Sequence, residues 1–252
     1  MIFRSAFFFL CPFLTLILRA EVNLLPSQEL SEITEKYSKI ERISTSRVQE
    51  KPNDVSSYSK RGDARLFLGN FLGACSDYEK MVQLNPELEV SHWRLGIAYF
   101  YLSDFAKAAR QFEIYHRYDN IDRENGIWRF MSQYKESGLK VARESLLNYS
   151  QDDRPPYPWL YSMFAGKITP QEVFKEIKEQ NFPEKYQIRV LFHANLYVGI
   201  FLELTGEVPQ SALSYLADAT TNEYGRATGT YMWQVARLHH ARLFASIKQK
   251  KE

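Results

Sequence analysis

The chain has 252 residues, and its 32 Lys and Arg against 30 Asp and Glu give a formal net charge of only +2 at pH 7. A near-neutral chain has no strong basic field to attract a polyanion, which argues against a nucleic-acid partner. Only 11 glycines and 10 prolines occur, and alternating β-branched stretches are few, so the composition favours an all-α fold.

The first 20 residues predict an export signal. An apolar segment of about 13 residues, positions 6–18, lies between Arg4 and Arg19 and is shorter than the ~20 residues that span a bilayer. We predict cleavage after Ala20 and a periplasmic or envelope-associated bacterial protein. An uncleaved anchor and a buried helix are the alternatives.

The two cysteines bear on membrane attachment and on redox chemistry. Cys11 follows Phe8, Phe9 and Leu10 rather than the small residue that lipidation requires, so a lipid anchor is not predicted and membrane attachment is left open. Removal of the signal would leave Cys75 as the remaining thiol. Its place in an apolar helix predicts a buried packing residue.

Residues 27–50 predict an amphipathic helix that precedes the main fold. Apolar residues recur at steps of three and four, with charged residues between them, and Ser27 is the predicted N-cap. The apolar positions are Leu30, Ile33, Tyr37, Ile40 and Ile43. Two hypotheses have equal weight: this helix caps the following repeat, or it pairs two chains in a homodimer.

Two consecutive segments of about 34 residues, 55–88 and 89–122, carry matching residues at equal offsets. The matched pairs are Gly62 and Gly96, Ala74 and Ala108, and Tyr78 and Phe112. Small residues permit two helices to approach closely, and the rings fill the space beside them. Pro86 ends the first copy, since proline lacks an N–H and restricts the preceding residue.

This pattern resembles the tetratricopeptide repeat (TPR) family, whose paired helices stack into a right-handed α-solenoid. The resemblance implies that inner-helix residues line a concave groove for peptides. The implied groove residues are Asp63, Phe67, Trp93, Ile97, Phe100 and Tyr101. Some members bind a C-terminal carboxylate through Lys, Asn and Arg at inner-helix positions, and the resemblance implies that this clamp is absent here, since Ser59, Asp63 and Phe67 occupy those positions of the first repeat. The alternative is that Trp93, Phe100 and Tyr101 pack against a neighbouring hairpin or the terminal helix.

Residues 123–252 predict degenerate hairpins that continue the same solenoid, giving four to five hairpins with a capping helix at each end. Gly138 should break a helix, and residues 151–156 should form a loop. Thr169 and Glu172 form a predicted capping box. A hairpin at 188–219 places Gly199 and Tyr215 at repeat positions. Glycines at 225 and 229 should loosen the connection to a last helix at 230–247.

The sequence contains no motif that predicts a catalytic, metal or cofactor site. We therefore predict a non-enzymatic protein-binding adaptor with no cofactor and no metal. Segments 95–100, 164–169 and 196–199 are similar to periplasmic TPR adaptors of the NlpI type, which implies peptidoglycan-remodelling enzymes or a protease as partners. The alternatives are an envelope enzyme that uses His193, His239 and His240 as acid–base groups, and a purely structural dimeric scaffold.

Overall fold

A computed structural model describes residues 25–151, 153–206 and 209–249, and within these ranges the regular secondary structure is helical, with no strand. The predicted all-α fold is confirmed. The predicted signal at residues 1–20, with Cys11 and the cleavage site after Ala20, lies outside the described residues.

Twelve α-helices and one 3-10 helix follow one another in the described ranges, and most of them pack mainly on their neighbours in the chain. The α-helices are α1 Ser27–Glu50, α2 Val55–Phe67, α3 Phe71–Leu84, α4 Trp93–Leu102, α5 Phe105–Tyr118, α6 Arg123–Glu144, α7 Tyr157–Phe164, α8 Pro170–Glu179, α9 Glu184–Thr205, α10 Pro209–Thr221, α11 Glu223–Thr228 and α12 Tyr231–Gln249. The 3-10 helix Pro86–Ser91 separates the first repeat from the second. This succession forms a helical solenoid.

The first helix has the predicted bounds, but its predicted N-cap is wrong. Pro26 occupies the N-cap position, without a side-chain cap hydrogen bond, and Ser27 is already helical. The apolar face of α1 packs on α2, with Tyr37 buried against Phe67. Ile43 is 41% exposed and so differs from the other predicted contacts. The capping arrangement is present, and the homodimer through residues 27–50 stays a prediction.

The two repeats bring their helices together through glycine, in the same register. A Cβ atom at Gly62 would lie 2.5 Å from the Tyr78 ring, and one at Gly96 would lie 2.6 Å from the Phe112 ring. Helices α2 and α3, like α4 and α5, can therefore approach closely only because these positions lack a side chain. Ala74 and Ala108 are fully buried beside these contacts.

A close glycine contact also joins the helices of the α9–α10 hairpin, but the residue that meets the glycine is one position later than predicted. A Cβ atom at Gly199 would lie 2.7 Å from the Leu216 side chain, whereas Tyr215 stacks on Phe174 of α8 at 5.4 Å between ring centroids. The assignment of Tyr215 to the repeat position is thus wrong by one residue. On a helix one residue turns a side chain by ~100°, enough to move it to another face.

The segment between α10 and α12 is helical, whereas its glycines predicted a loose connection. It forms the short helix α11, and a Cβ at Gly225 would lie 2.5 Å from Trp233. Gly225 thus permits close packing rather than a loose connection, and Gly229 caps α11 in the left-handed region at φ 57°.

Other predicted boundaries hold. Gly138, at φ 86°, interrupts α6, and Thr169 and Glu172 form the capping box of α8. Cys75 is buried as predicted, and burial, with repulsion from Glu79, raises the pKa of its thiol to about 12.

Helix α9 is the one described helix long enough and apolar enough to cross a membrane by length and composition. About 61% of its apolar window is buried inside the protein, as expected for the central helix of a packed core. Helices α10 and α11 pack on it.

Candidate functional site

The concave face of the two repeats is partly covered by the last helix of the chain. The Tyr231 ring, at the start of α12, packs edge-on against Phe67 and Trp93 at centroid distances of 4.9 and 4.8 Å. The Arg237 guanidinium donates a hydrogen bond of 2.8 Å to the Phe67 carbonyl oxygen. These groove residues therefore contact the terminal helix, which is the arrangement that the sequence left as an alternative.

Asp63 lies in a polar cluster beneath this contact. Its carboxylate accepts hydrogen bonds from the Arg94 guanidinium at 2.9 Å and from the Tyr78 hydroxyl at 2.6 Å. Burial raises the pKa of Asp63, and the attraction of Arg94 offsets this only in part. Asp63 therefore joins the two repeats, a role that sequence offsets alone did not reveal because Arg94 belongs to the other segment.

Two cavities, each of about 250 Å³, flank the contact between α4 and α12. We name the first the acidic cavity; it is lined by Trp93, Ile97, Asp122, Glu124, Asn125, Trp128, Arg154 and Met232. Its apolar walls are thus formed by two tryptophans, an isoleucine and a methionine. Its polar side chains lie close to one another in space. Trp93 and Ile97 are the predicted groove residues that it includes.

The polar end of the acidic cavity is built by the start of α6 and the loop before α7. Asp122 is the N-cap of α6: it accepts the Glu124 N–H at 3.0 Å and the Asn125 side-chain amide at 2.8 Å. Asp153 accepts the Arg123 backbone N–H at 3.0 Å, which ties the loop to the helix N-terminus. Capping thus fixes the carboxylates before any ligand is present.

Three carboxylates converge there on the Arg154 guanidinium. Its nitrogens lie 3.0 Å from Asp153, 3.2 Å from Glu124 and 3.8 Å from Asp122, while its plane covers the Tyr157 ring at 4.5 Å. The side chains of Asp122, Glu124 and Arg154 are 20%, 14% and 41% exposed, so the cavity opens to solvent. The result is a partly dehydrated site with more negative than positive charge on it.

Burial raises the pKa of both carboxyl groups at the start of α6. Burial and repulsion from Glu124 raise the pKa of Asp122 to about 7, more than the attraction of Arg154 lowers it. Burial also raises the pKa of Glu124, although the Tyr197 hydroxyl donates a hydrogen bond to it and Arg154 lies beside it. Such a site favours a bound cation.

We name the second the histidine cavity; its lining includes Phe100, Tyr101, Ser103, Lys135, Glu203, His239 and Arg242. His239 Nε2 contacts the Glu203 carboxylate, and its Nδ1 lies 2.9 Å from the Tyr101 hydroxyl. Arg242 covers the Phe71 ring at 5.1 Å and the Tyr101 ring at 5.5 Å. The predicted groove residues Phe100 and Tyr101 thus belong to a packed polar network.

The three histidines considered as acid–base groups do not come together. His193 is buried with its Nδ1 2.9 Å from the Tyr157 hydroxyl, and burial lowers its pKa to about 3. Burial and the neighbouring His239 lower the pKa of His240 to about 4. At neutral pH both imidazoles are therefore uncharged packing groups. His193 contacts Tyr157, whereas His239 contacts Glu203 and Tyr101.

Sequence reasoning missed the polar half of the acidic cavity. The sequence predicts that Asp122 ends a repeat, that Glu124 begins a helix and that Arg154 lies in a loop. A usable signal was present: an Asp with Glu two residues later at a predicted helix start places two carboxylates at one helix end. No pattern in the sequence predicts that the loop at residues 151–156 packs against the N-terminus of α6.

No known family profile matches this chain. Over 115 residues the chain is 27% identical to a Protein SGT1 homolog from Bos taurus, covering 46% of this chain and 34% of that protein. Over 101 residues it is 29% identical to a Protein SGT1 homolog from Homo sapiens, covering 40% of this chain and 26% of that protein. The match thus spans about a third of the length of these relatives. Together with the helical hairpins, it is compatible with a TPR-like fold.

Proposed function

We propose that this chain is a non-enzymatic adaptor that binds protein or peptide segments on the concave face of its TPR-like repeats. The observation that carries this proposal is the acidic cavity, an aromatic-walled site beside α12 that is lined by the half-buried Trp93 and the buried Ile97 of the inner helix. Binding sites of this kind combine apolar walls with a few fixed polar groups. We further propose that the chain acts outside the cytoplasm, on the basis of residues 1–20.

The terminal helix is a permanent part of the groove in this proposal. Its Trp233, Val235 and Ala236 are buried, and the Trp233 indole donates a 2.8 Å hydrogen bond to the Thr220 carbonyl of α10. Displacing α12 would expose these side chains at a cost of about 2 kcal/mol for each large one. We therefore expect partners to bind beside α12 rather than in its place.

Capture of partners by matched variants tests the adaptor proposal. The tagged full chain is crosslinked in its own host and purified as wild type, Trp93→Ala and Trp159→Ala. Trp159 is also half-buried but lies on α7, away from the cavity lining. We expect Trp93→Ala to lose a partner that wild type and Trp159→Ala retain. Equal recovery by all three, or recovery of none by wild type, contradicts the proposal.

The absence of catalysis is tested directly. Because His193 and His240 have pKa values lowered by burial, we expect no turnover of peptidoglycan or peptide substrates. Turnover that disappears in His193→Ala but survives in His116→Ala would support the envelope enzyme instead. A partner drawn from peptidoglycan-remodelling enzymes or proteases would support the closer likeness to NlpI-type adaptors.

The predicted export is tested by mass spectrometry, and the predicted homodimer is tested by light scattering. We expect the intact mass of the chain from its host to correspond to a start at residue 21, in an envelope fraction. A mass that includes residues 1–20 would support an anchor. Light scattering distinguishes monomer from homodimer, and Ile43→Asp, on the exposed part of α1, should weaken a dimer that forms through residues 27–50.

A further inference from the structure

We infer that the acidic cavity accepts the basic side chain, lysine or arginine, of a protein partner, with its aliphatic stem against Trp93 and its charged end toward Asp122 and Glu124. This inference rests on the proposed adaptor function and names the chemistry that the partner must present. Its two supports are the shape of the cavity and the balance of charge at its end.

The walls suit an aliphatic chain that ends in a cation. The half-buried Trp93 supplies an indole ring, and the buried side chains of Trp128, Ile97 and Met232 complete an apolar lining, in a volume of about 250 Å³. The faces of indole rings attract cations, tryptophan most strongly among the aromatic side chains. Long basic side chains pack their methylene stems on apolar surface while the charged group reaches polar partners. An acidic or neutral segment would find no such match.

The polar end of the acidic cavity carries more carboxylates than cations. Asp122, Glu124 and Asp153 converge on the single guanidinium of Arg154, which is itself stacked on Tyr157. A second cation at the cavity end would relieve the repulsion between Asp122 and Glu124. Their side chains are only 20% and 14% exposed, so water screens this repulsion poorly. The site therefore complements a cation and opposes an anion.

The charged and titratable groups around Asp122 give the site a pH dependence. They include Arg123 and Glu124 on α6, Tyr149, Asp153 and Arg154 between α6 and α7, Tyr157 on α7 and Tyr115 on α5. Helices α4 and α12 contribute uncharged residues to the lining. Burial and Glu124 raise the pKa of Asp122 to about 7. Its charge is then mostly present at pH 8 and mostly lost at pH 6. Affinity for a cation should fall about tenfold between these pH values.

The experiment uses the full chain and small probes that represent the side chain alone. Binding of n-butylammonium and n-butylguanidinium is followed by ligand-detected NMR, with n-butanol and butyrate as neutral and anionic controls of similar length. We expect the two cations to bind and the controls to bind at least tenfold more weakly. Equal binding of n-butanol, or no binding of either cation, overturns the inference.

Variants locate the site, and a peptide distinguishes a protein segment from a free amine. Asp122→Asn should lower cation affinity about tenfold at pH 8 and remove its pH dependence. Asp104→Asn, at the N-cap of α5, should do neither. The acetylated and amidated tripeptide Gly-Lys-Gly should bind more tightly than its norleucine counterpart. Binding of butylammonium without binding of the lysine peptide would overturn the assignment to a protein partner.

These outcomes are separable from those of the adaptor proposal. If the chain binds a partner through Trp93 but binds neither butylammonium nor butylguanidinium, the proposed function is supported and this inference is overturned. Unchanged helical circular dichroism in Asp122→Asn shows that a lost affinity reflects the site and not unfolding.

Discussion

The acidic cavity and the histidine cavity have the same volume and share α4 and α12 as walls, yet their charges are arranged in opposite ways. In the histidine cavity Glu203 contacts His239, whose other ring nitrogen lies 2.9 Å from the Tyr101 hydroxyl. Burial raises the pKa of Glu203, but His239 outweighs it, so the net shift is downward. In the acidic cavity burial and Glu124 raise the pKa of Asp122 to about 7.

The difference distinguishes a network that stabilises the fold from one that is built for a ligand. A buried polar network in which each group finds its partner fixes one arrangement of helices. A surplus of buried charge destabilises the fold and is relieved only when a counter-charge arrives. Although both cavities share two helices as walls, they have no lining residue in common. Substitutions in one should therefore leave the other intact, and three predictions test this.

The largest effect is expected from His239→Ala in the histidine cavity. The substitution removes one hydrogen-bond partner each from Tyr101 and Glu203, which are both buried in whole or in part. Leaving buried polar groups unpaired costs about 3 kcal/mol of unfolding free energy. Urea denaturation at pH 7 measures it.

The matched control is His116→Ala, whose Nδ1 has no hydrogen-bond partner and whose loss should cost below about 1 kcal/mol. Binding of n-butylammonium to folded His239→Ala should be unchanged. Similar losses in the two histidine variants would show that the network of the histidine cavity carries little stability.

A moderate effect of opposite sign is expected from Asp122→Asn in the acidic cavity. The pKa of Asp122 is raised from 3.8 to about 7 in the folded chain. A carboxyl group with a raised pKa stabilises the fold below its unfolded pKa and loses that contribution as the pH rises through its folded pKa. The neutral asparagine should therefore be more stable than wild type at pH 8, by about 1 kcal/mol after the loss of its bond from Asn125.

The comparison is made by urea denaturation at pH 8 and pH 4, since the gain should vanish at the lower pH, where Asp122 is protonated. Asp104→Asn provides the control and should show no gain that depends on pH. An asparagine variant less stable than wild type at both pH values would mean that the carboxylate is satisfied by its neighbours.

The smallest effect is expected from Tyr231→Phe, at the contact that separates the two cavities. The Tyr231 hydroxyl lies 3.4 Å from that of Tyr78, too long for a strong O–H···O hydrogen bond. Its ring contacts with Phe67 and Trp93 would remain. We expect a change below about 0.5 kcal/mol by thermal denaturation, and unchanged cation binding. A loss above about 1.5 kcal/mol would show that the hydroxyl pair holds α12 in the groove.

Local devices were the most predictable from sequence. The capping box of Thr169 and Glu172 and the break at Gly138 occur where expected, because a helix boundary depends on residues within one turn. Register in the degenerate hairpin was less predictable, and Leu216 rather than Tyr215 meets Gly199. A loop that is one residue longer or shorter than in the repeat turns each following side chain to another face of its helix. The apolar composition of the helix stays the same, so the sequence does not reveal this change.

The sequence by itself determined the all-α class, the bounds of α1, the capping box of α8 and the close contacts at Gly62 and Gly96, because these follow from neighbours a few turns away. Only the tertiary structure decided what the concave face does. The return of α12 to α2 and α4 gives Phe67 and Trp93 a partner some 140 to 160 residues away in the chain. The loop before α7 likewise brings Arg154 to Asp122. Pairings across such distances follow from the packing of all the intervening helices, which no local pattern encodes.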